Sequence, residues 1–261
     1  MTAVSSDFRS SPDLARPWVS SVRNPLDATG KIRAVLFDLD GTLYHQRPMR
    51  ALMGLELAAL AVSRPLQAPV GWRVLAEFRR AQEALRGREA IRGGAAEQVG
   101  LTARRTGVPT DRVEALVVEW MQERPLKYLP RCRADGVLPL LDFLVRRGIR
   151  VGVFSDYPPE LKLDALGIGG RFSVVLCSTD AEVGMFKPHP RGFLVAAARW
   201  QLDPSEVLVV GDRPDTDAAG AAAAGMPCVI VGNRHRQSSS DFLSLPSLER
   251  LRDVLDDDHS R

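Results

Sequence analysis

Apolar residues along this chain fall into two patterns. The first is a set of short unbroken runs: AVLF at 34–37, VGVF at 151–154, SVVLCS at 173–178, VLVV at 207–210 and CVIV at 228–231. They are rich in valine and bounded by Gly, Asp or Pro, which suits strands covered on both faces, as in a parallel sheet. The second pattern has helical spacing and fills the intervals. GVLPLLDFLVRR, 136–147, ends at Gly148, a plausible residue just past a helix. PELKLDAL, 159–166, and PRGFLVAAARW, 190–200, each open on a proline, which a first turn tolerates. DAAGAAAAG, 217–225, predicts a small-residue helix lying close against a sheet. Strands alternating with helices imply an α/β fold with a doubly wound parallel sheet.

One interval breaks the alternation. From 46 to 134 no segment reads as a strand, whereas ALMGLELAALAV, WRVLAEFRRAQEAL and DRVEALVVEWMQ all read as amphipathic helices. The predicted organisation is a flexible arm over 1–28, an α/β core from 29–45 and 135–233, a helical insertion over 46–134, and a C-terminal extension over 234–261. That extension reads as a polar stretch, a short surface helix and a frayed acidic end.

Composition narrows the setting. The chain has 261 residues, 45% apolar and 26% charged, as expected of a folded globular protein. No stretch approaches the ~20 apolar residues that span a bilayer, and the N-terminus lacks the apolar region of a signal peptide. Cys132, Cys177 and Cys228 stand apart, without the spacing of a zinc site or a disulfide framework, so a cytoplasmic location is predicted. A net charge of +3 is too small to argue for nucleic acid. Only Lys31, Lys127, Lys162 and Lys187 are lysines, against 31 arginines, so a lysine here carries more information than an arginine. Oligomeric state is not legible.

In an open α/β sheet the ligand sits beyond the carboxyl ends of the strands. Asp38, Asp40, Gly41 and Thr42 follow the first run; Ser155 and Asp156 follow the second; Asp212, Asp215 and Asp217 follow the fourth; and Lys187 stands in GMFKPHP between the third and fourth. Residues i and i+2 of an extended segment point the same way. Asp38 and Asp40 would therefore crowd one space, where their repulsion raises at least one pKa unless a cation intervenes. The acids could hold Mg²⁺, a hard ion that prefers oxygen ligands and tolerates phosphate. Ser155 could hydrogen-bond a phosphoryl oxygen, and Lys187 could meet transition-state charge. Asp38 could attack as a nucleophile, and Asp40 could serve as acid and base.

DLDGT at 38–42, FSD at 154–156, FKPHP at 186–190 and GDRPDTD at 211–217 resemble, in order, the four motifs of the haloacid dehalogenase superfamily. The resemblance implies Asp38 as nucleophile, Asp40 as acid/base, and Ser155, with Asp156 beside it, and Lys187 at the phosphoryl group. It implies Mg²⁺ held by Asp38, the backbone carbonyl of Asp40, and Asp212, with Asp217 as the last acid of the motif and Asp215 as its competitor. Gly41 and Thr42 complete the first motif. Many relatives carry Asn where Asp156 stands, so a helix cap or a contact with the insertion is an open alternative for it. By the same resemblance the insertion is a helical cap of the phosphoglycolate-phosphatase-like branch. A second acid at Asp40 implies a phosphatase or phosphomutase rather than a dehalogenase. The implied activity is Mg²⁺-dependent hydrolysis of a small phosphorylated metabolite through an aspartyl-phosphate. A β-phosphoglucomutase-like mutase and a non-catalytic binding module are the alternatives.

Each residue also has a plainer reading. Asp-Gly favours turns, Ser155 and Asp212 can cap helices, Lys187 can be a solvated lysine and His189 a loop histidine. Tyr44 and His45 lie where the chain enters the insertion and could see substrate. The arginines of 86–94 and 131–133 could meet a substrate anion or simply face solvent.

Overall fold

The computed structural model describes residues 32–63, 65, 68–86, 95–232 and 241–257. The predicted N-terminal arm and most of the arginine-bearing tract 86–94 lie outside the described residues.

All five apolar runs are strands: β1 (Ala34–Phe37), β2 (Arg150–Ser155), β3 (Val174–Cys177), β4 (Val207–Gly211) and β5 (Cys228–Val231). With a sixth, β6 (Leu243–Leu245), they form one sheet in the order β3-β2-β1-β4-β5-β6, every neighbouring pair parallel. All four residues of β1 are buried. Val35 and Phe37 enter the apolar layer on one face of the sheet, Ala34 and Leu36 the layer on the other, as the two-residue period of a strand requires. The sheet therefore has helices on both sides, the doubly wound arrangement expected. The strand order reverses at β1, which pairs with both β2 and β4. That switch point opens a crevice at the strand ends.

The insertion begins after β1 with α1 (Gln46–Ser63), α2 (Ala68–Leu85), α3 (Ala95–Thr106) and α4 (Thr110–Val117), followed by a π-helical turn over Val118–Glu123 and a 3₁₀ turn over Arg124–Lys127. A four-residue helix, α5 (Leu129–Cys132), leads back to the sheet. Val74, Phe78, Val99, Val113, Leu116 and Trp120 give these helices an apolar core of their own. The chain enters and leaves as one pinned pair: His45 N–H donates to the Cys132 carbonyl at 2.8 Å, and Ala134 N–H to the Leu43 carbonyl at 3.0 Å.

α6 (Val137–Arg146), α7 (Glu160–Ala165), α8 (Arg191–Trp200) and α9 (Ala219–Ala223) follow the predicted periods. The C-terminal segment departs from its prediction. Over 243–257 it is not a surface appendage: β6 pairs with β5, and α10 (Leu248–Asp257) buries Leu248, Leu251 and Leu255 against the sheet. The three leucines lie at i, i+3 and i+7, one helical face, with the acids on the other. The face was visible in the sequence. Its partner was not, because β6 is only three residues long.

Candidate active site

Asp38 follows β1, and its N–H donates to the carbonyl of Val210 on β4 at 2.8 Å, which fixes the residue at the switch point. Its carboxylate is held at both oxygens. Lys187 Nζ donates to Oδ1 at 2.7 Å and Thr42 Oγ1 to Oδ2 at 3.1 Å. The Lys187 ammonium, 3% exposed, also meets Asp217 Oδ1 at 2.8 Å, and Asp217 is itself 1% exposed. Oxygens of Asp38, Asp212 and Asp217 lie within 4.8 Å of one another. Residues separated by 179 positions in sequence thus share one small space, as the parallel topology predicts.

The backbone is shaped around these acids. Gly41 has φ +114°, and a Cβ there would lie 2.3 Å from Asp212 Oδ2. A Cβ on Gly211 would lie 2.4 Å from the Asp217 carboxylate. Both glycines leave the room that the carboxylates occupy.

Burial raises the pKa of Asp38, and the neighbouring Asp217 adds to this while Lys187 works against it. Burial likewise raises Asp212, reinforced by the charges of Asp38 and Asp217. Burial opposes the charge on Lys187, but Asp217 and Asp38 outweigh it and raise its pKa. Three carboxylates against one ammonium leave two negative charges uncompensated. An all-oxygen donor set with that residual charge fits one hard divalent cation.

Asp40 is differently placed. Lys162 Nζ lies 2.7 Å from its Oδ1, the Tyr44 hydroxyl donates to the same oxygen, and Gln46 Nε2 donates to its backbone carbonyl. Burial pushes the Asp40 pKa up, but the Lys162 charge and hydrogen bond and the Tyr44 hydroxyl outweigh it, and the pKa is lowered. Lys162 is 6% exposed. Its role was missed in the sequence, although the scarcity of lysine was a signal. Tyr44 lines the cleft, whereas His45 is exposed and 3.9 Å from Asp135.

The remaining predicted residues sort by geometry. Ser155 ends β2, 1% exposed, and its Oγ accepts from Tyr157 N–H at 3.2 Å. Asp156 is on the wall, with both oxygens engaged by protein. Oδ1 accepts from Ser178 Oγ at 2.6 Å and Lys187 N–H at 3.2 Å, and Oδ2 pairs with Arg86 at 2.7 Å. Arg86, directly after α2, also donates to the Lys187 carbonyl and so ties the insertion to the sheet. Asp215 turns outward to pair with Arg213. His189 Nδ1 accepts from Arg191 N–H at 3.2 Å, a loop contact. Arg133 donates to the Leu166 carbonyl at 2.8 Å.

These groups form one end of a cleft of about 760 Å³ between the sheet edge and α1, α2 and the π-helical turn. The volume is ordinary for a small-molecule site. Among the described residues no helix is long and apolar enough to cross a membrane.

Known proteins resemble this chain over most of its length. A phosphoglycolate phosphatase of Xanthomonas campestris pv. campestris is 32% identical over 226 residues, 81% of this chain and 88% of that protein. A glyceraldehyde 3-phosphate phosphatase of Methanopyrus kandleri is 29% identical over 233 residues, 86% of this chain and 96% of that one. The crystal structure of an HAD phosphatase from Thermococcus onnurineus superposes with TM-score 0.60 at 23% identity, covering 86% and 98% of the two chains, a likeness of fold. The family model for haloacid dehalogenase-like hydrolases matches residues 32–225. With that span embracing β1 to β4 and every acid of the cluster, the chain belongs to the haloacid dehalogenase-like hydrolase family.

Proposed function

We propose that the protein is a Mg²⁺-dependent phosphatase that hydrolyses a small organic phosphomonoester through an aspartyl-phosphate on Asp38. The observation that carries this reading is the convergence of Asp38, Asp212, Asp217 and Lys187 at the β1/β4 switch point, on the wall of the cleft. Relatives that act on phosphorylated small molecules support it.

Thr42 and Lys187 orient the Asp38 carboxylate and limit its rotation, which presents one oxygen toward a phosphorus in the cleft. Asp38 attacks, the P–O bond to the alcohol breaks, and the alcohol oxygen takes a proton. Asp40, two residues on and facing the same space, donates that proton after loading from solvent, then accepts one from the water that hydrolyses the acyl-phosphate. Lys187 offsets charge on the phosphoryl oxygens, and Asp217 holds Lys187 in place. The residues that would hold Mg²⁺ are Asp38, Asp212 and the carbonyl of Asp40, with Asp217 behind them; when bound, the ion screens the carboxylates and polarises the phosphoryl group. The insertion acts as a cap that excludes water. The reaction fits a cytoplasmic metabolite.

Asp38→Asn keeps shape and removes the nucleophile. Phosphate release from p-nitrophenyl phosphate in Mg²⁺ falls at least 10⁴-fold in this variant, on the order of losses seen when a triad nucleophile is removed, with an unchanged circular dichroism spectrum. Turnover that survives the substitution refutes the assignment of Asp38.

A further inference from the structure

The cleft is much larger than a two-carbon phosphate ester needs, and its polarity is divided. The acids and both buried lysines occupy one end. The rest of the lining is mixed: Met53, Leu57 and Leu75 from α1 and α2, and Met121 from the π-helical turn, stand beside the cations Arg50, Arg79 and Arg80. Gly54, Leu57 and Trp72 also line a second, shallower groove of about 400 Å³, completed by Ala58 and Ala61 of α1, Ala68 and Pro69 of α2, and Pro65 between them. Cleft and groove share Gly54, Leu57 and Trp72, so an apolar groove leads outward from the charged cleft. Trp72 borders both and is 62% exposed, which leaves its ring available to an apolar group in the groove.

A second observation calls for a ligand near the polar end. Gln82 of α2 lines the cleft and is 4% exposed. Its Oε1 accepts from the Tyr157 hydroxyl at 2.5 Å, whereas its Nε2 has no partner. Buried amide N–H groups are nearly always paired, because leaving one unmet is costly. Tyr157 follows Asp156, and both line the cleft together with Gln82.

Resting on the phosphatase reading above, we infer that the substrate is an amphiphilic phosphomonoester: its phosphoryl group meets Asp38 and Lys187, an acceptor oxygen close to that group meets the Gln82 amide, and an apolar tail runs along Leu57 to Trp72. The tail supplies binding through area removed from water. Gln82 selects esters with an oxygen beside the phosphoryl-bearing carbon over plain alkyl phosphates.

The test is phosphate release by the full chain in Mg²⁺ from glycerol 3-phosphate carrying 1-O-alkyl chains of zero to eight carbons, all monomeric in solution. A sixteen-carbon member is presented in phosphatidylcholine vesicles. kcat/KM rises with tail length by roughly two- to fourfold per methylene until the groove is filled. Trp72→Ala lowers the ratio of the eight-carbon to the unsubstituted ester at least fivefold. Gln82→Met, which keeps the volume and removes the amide, lowers kcat/KM at least tenfold on the eight-carbon ester. Turnover of the soluble members alone assigns a free substrate; turnover of the vesicle-held member as well assigns one drawn from a bilayer. A flat or falling dependence on tail length, with p-nitrophenyl phosphate still hydrolysed, overturns this inference and leaves the phosphatase reading standing. Release from no ester at all, p-nitrophenyl phosphate included, overturns both.

Discussion

Asp40 sits between two demands. In the proposed acid role it must carry a proton, yet Lys162 and Tyr44 favour its charged form. Lys162 is buried, and removing it leaves a carboxylate in a partly closed site with one partner fewer. Loss of one member of such a pair costs about 3 kcal/mol. We expect Lys162→Met to lose about that much stability at neutral pH, measured by urea unfolding. A carboxylate with a depressed pKa contributes stability above its ordinary titration range and loses it as pH falls through the folded value. The gap between the variant and the parent protein therefore narrows on acidification, whereas a simple packing defect gives a gap independent of pH. Activity should move with it: without Lys162 the limb of the pH–rate profile set by Asp40 shifts upward. The acids themselves were legible from DLDGT and GDRPDTD, because strand ends followed by Asp and Gly carry their chemistry in local sequence. Lys162, Gln82 and Arg86 were not, because nothing near them in the chain says which distant carboxylate or hydroxyl they meet.

At the scale of elements, the five valine-rich strands and the helical insertion were legible because both-face burial and helical periodicity are local signals. β6 and α10 were read as an extension because three residues carry too little pattern to mark a strand. Their placement has an energetic consequence. β6 covers the edge of β5, and Leu251 of α10 is fully buried. Truncating a buried leucine costs roughly 2–5 kcal/mol through lost transfer energy and the cavity left behind. Leu251→Ala is expected to lower unfolding stability by about 3 kcal/mol while leaving KM for p-nitrophenyl phosphate within twofold, since the residue lies remote from the cleft lining. A surface helix would show no such loss. The outward-facing Arg252, substituted by alanine, is the matched control for α10.

Across the whole molecule, the sheet edge gathers negative charge that the protein by itself neutralises only in part, and the helical insertion is tied to it through Arg86 to Asp156 and the Lys187 carbonyl. Folding thus brings carboxylates together before any cation arrives. Burial and mutual repulsion raise the pKa values of Asp38 and Asp212, so the metal-free folded protein binds protons there that the unfolded chain releases. For an acid with a raised folded pKa, stability is complete below its ordinary value and falls as pH rises through the folded one. A divalent ion held by these carboxylates would reverse this, because it binds their deprotonated form and displaces the protons. Two melting series across pH 5 to 9, one in chelator and one in Mg²⁺, should therefore diverge. Without metal the midpoint falls as pH rises. With Mg²⁺ at 100 times its dissociation constant, stabilisation of about 2.7 kcal/mol develops toward the alkaline end and nearly vanishes at pH 5. Titration calorimetry in buffers of different ionisation enthalpy should register the displaced protons. Curves that stay parallel across the range would mean that the acids at the switch point are not where the ion binds, and metal-assisted phosphoryl transfer to Asp38 would be excluded with them.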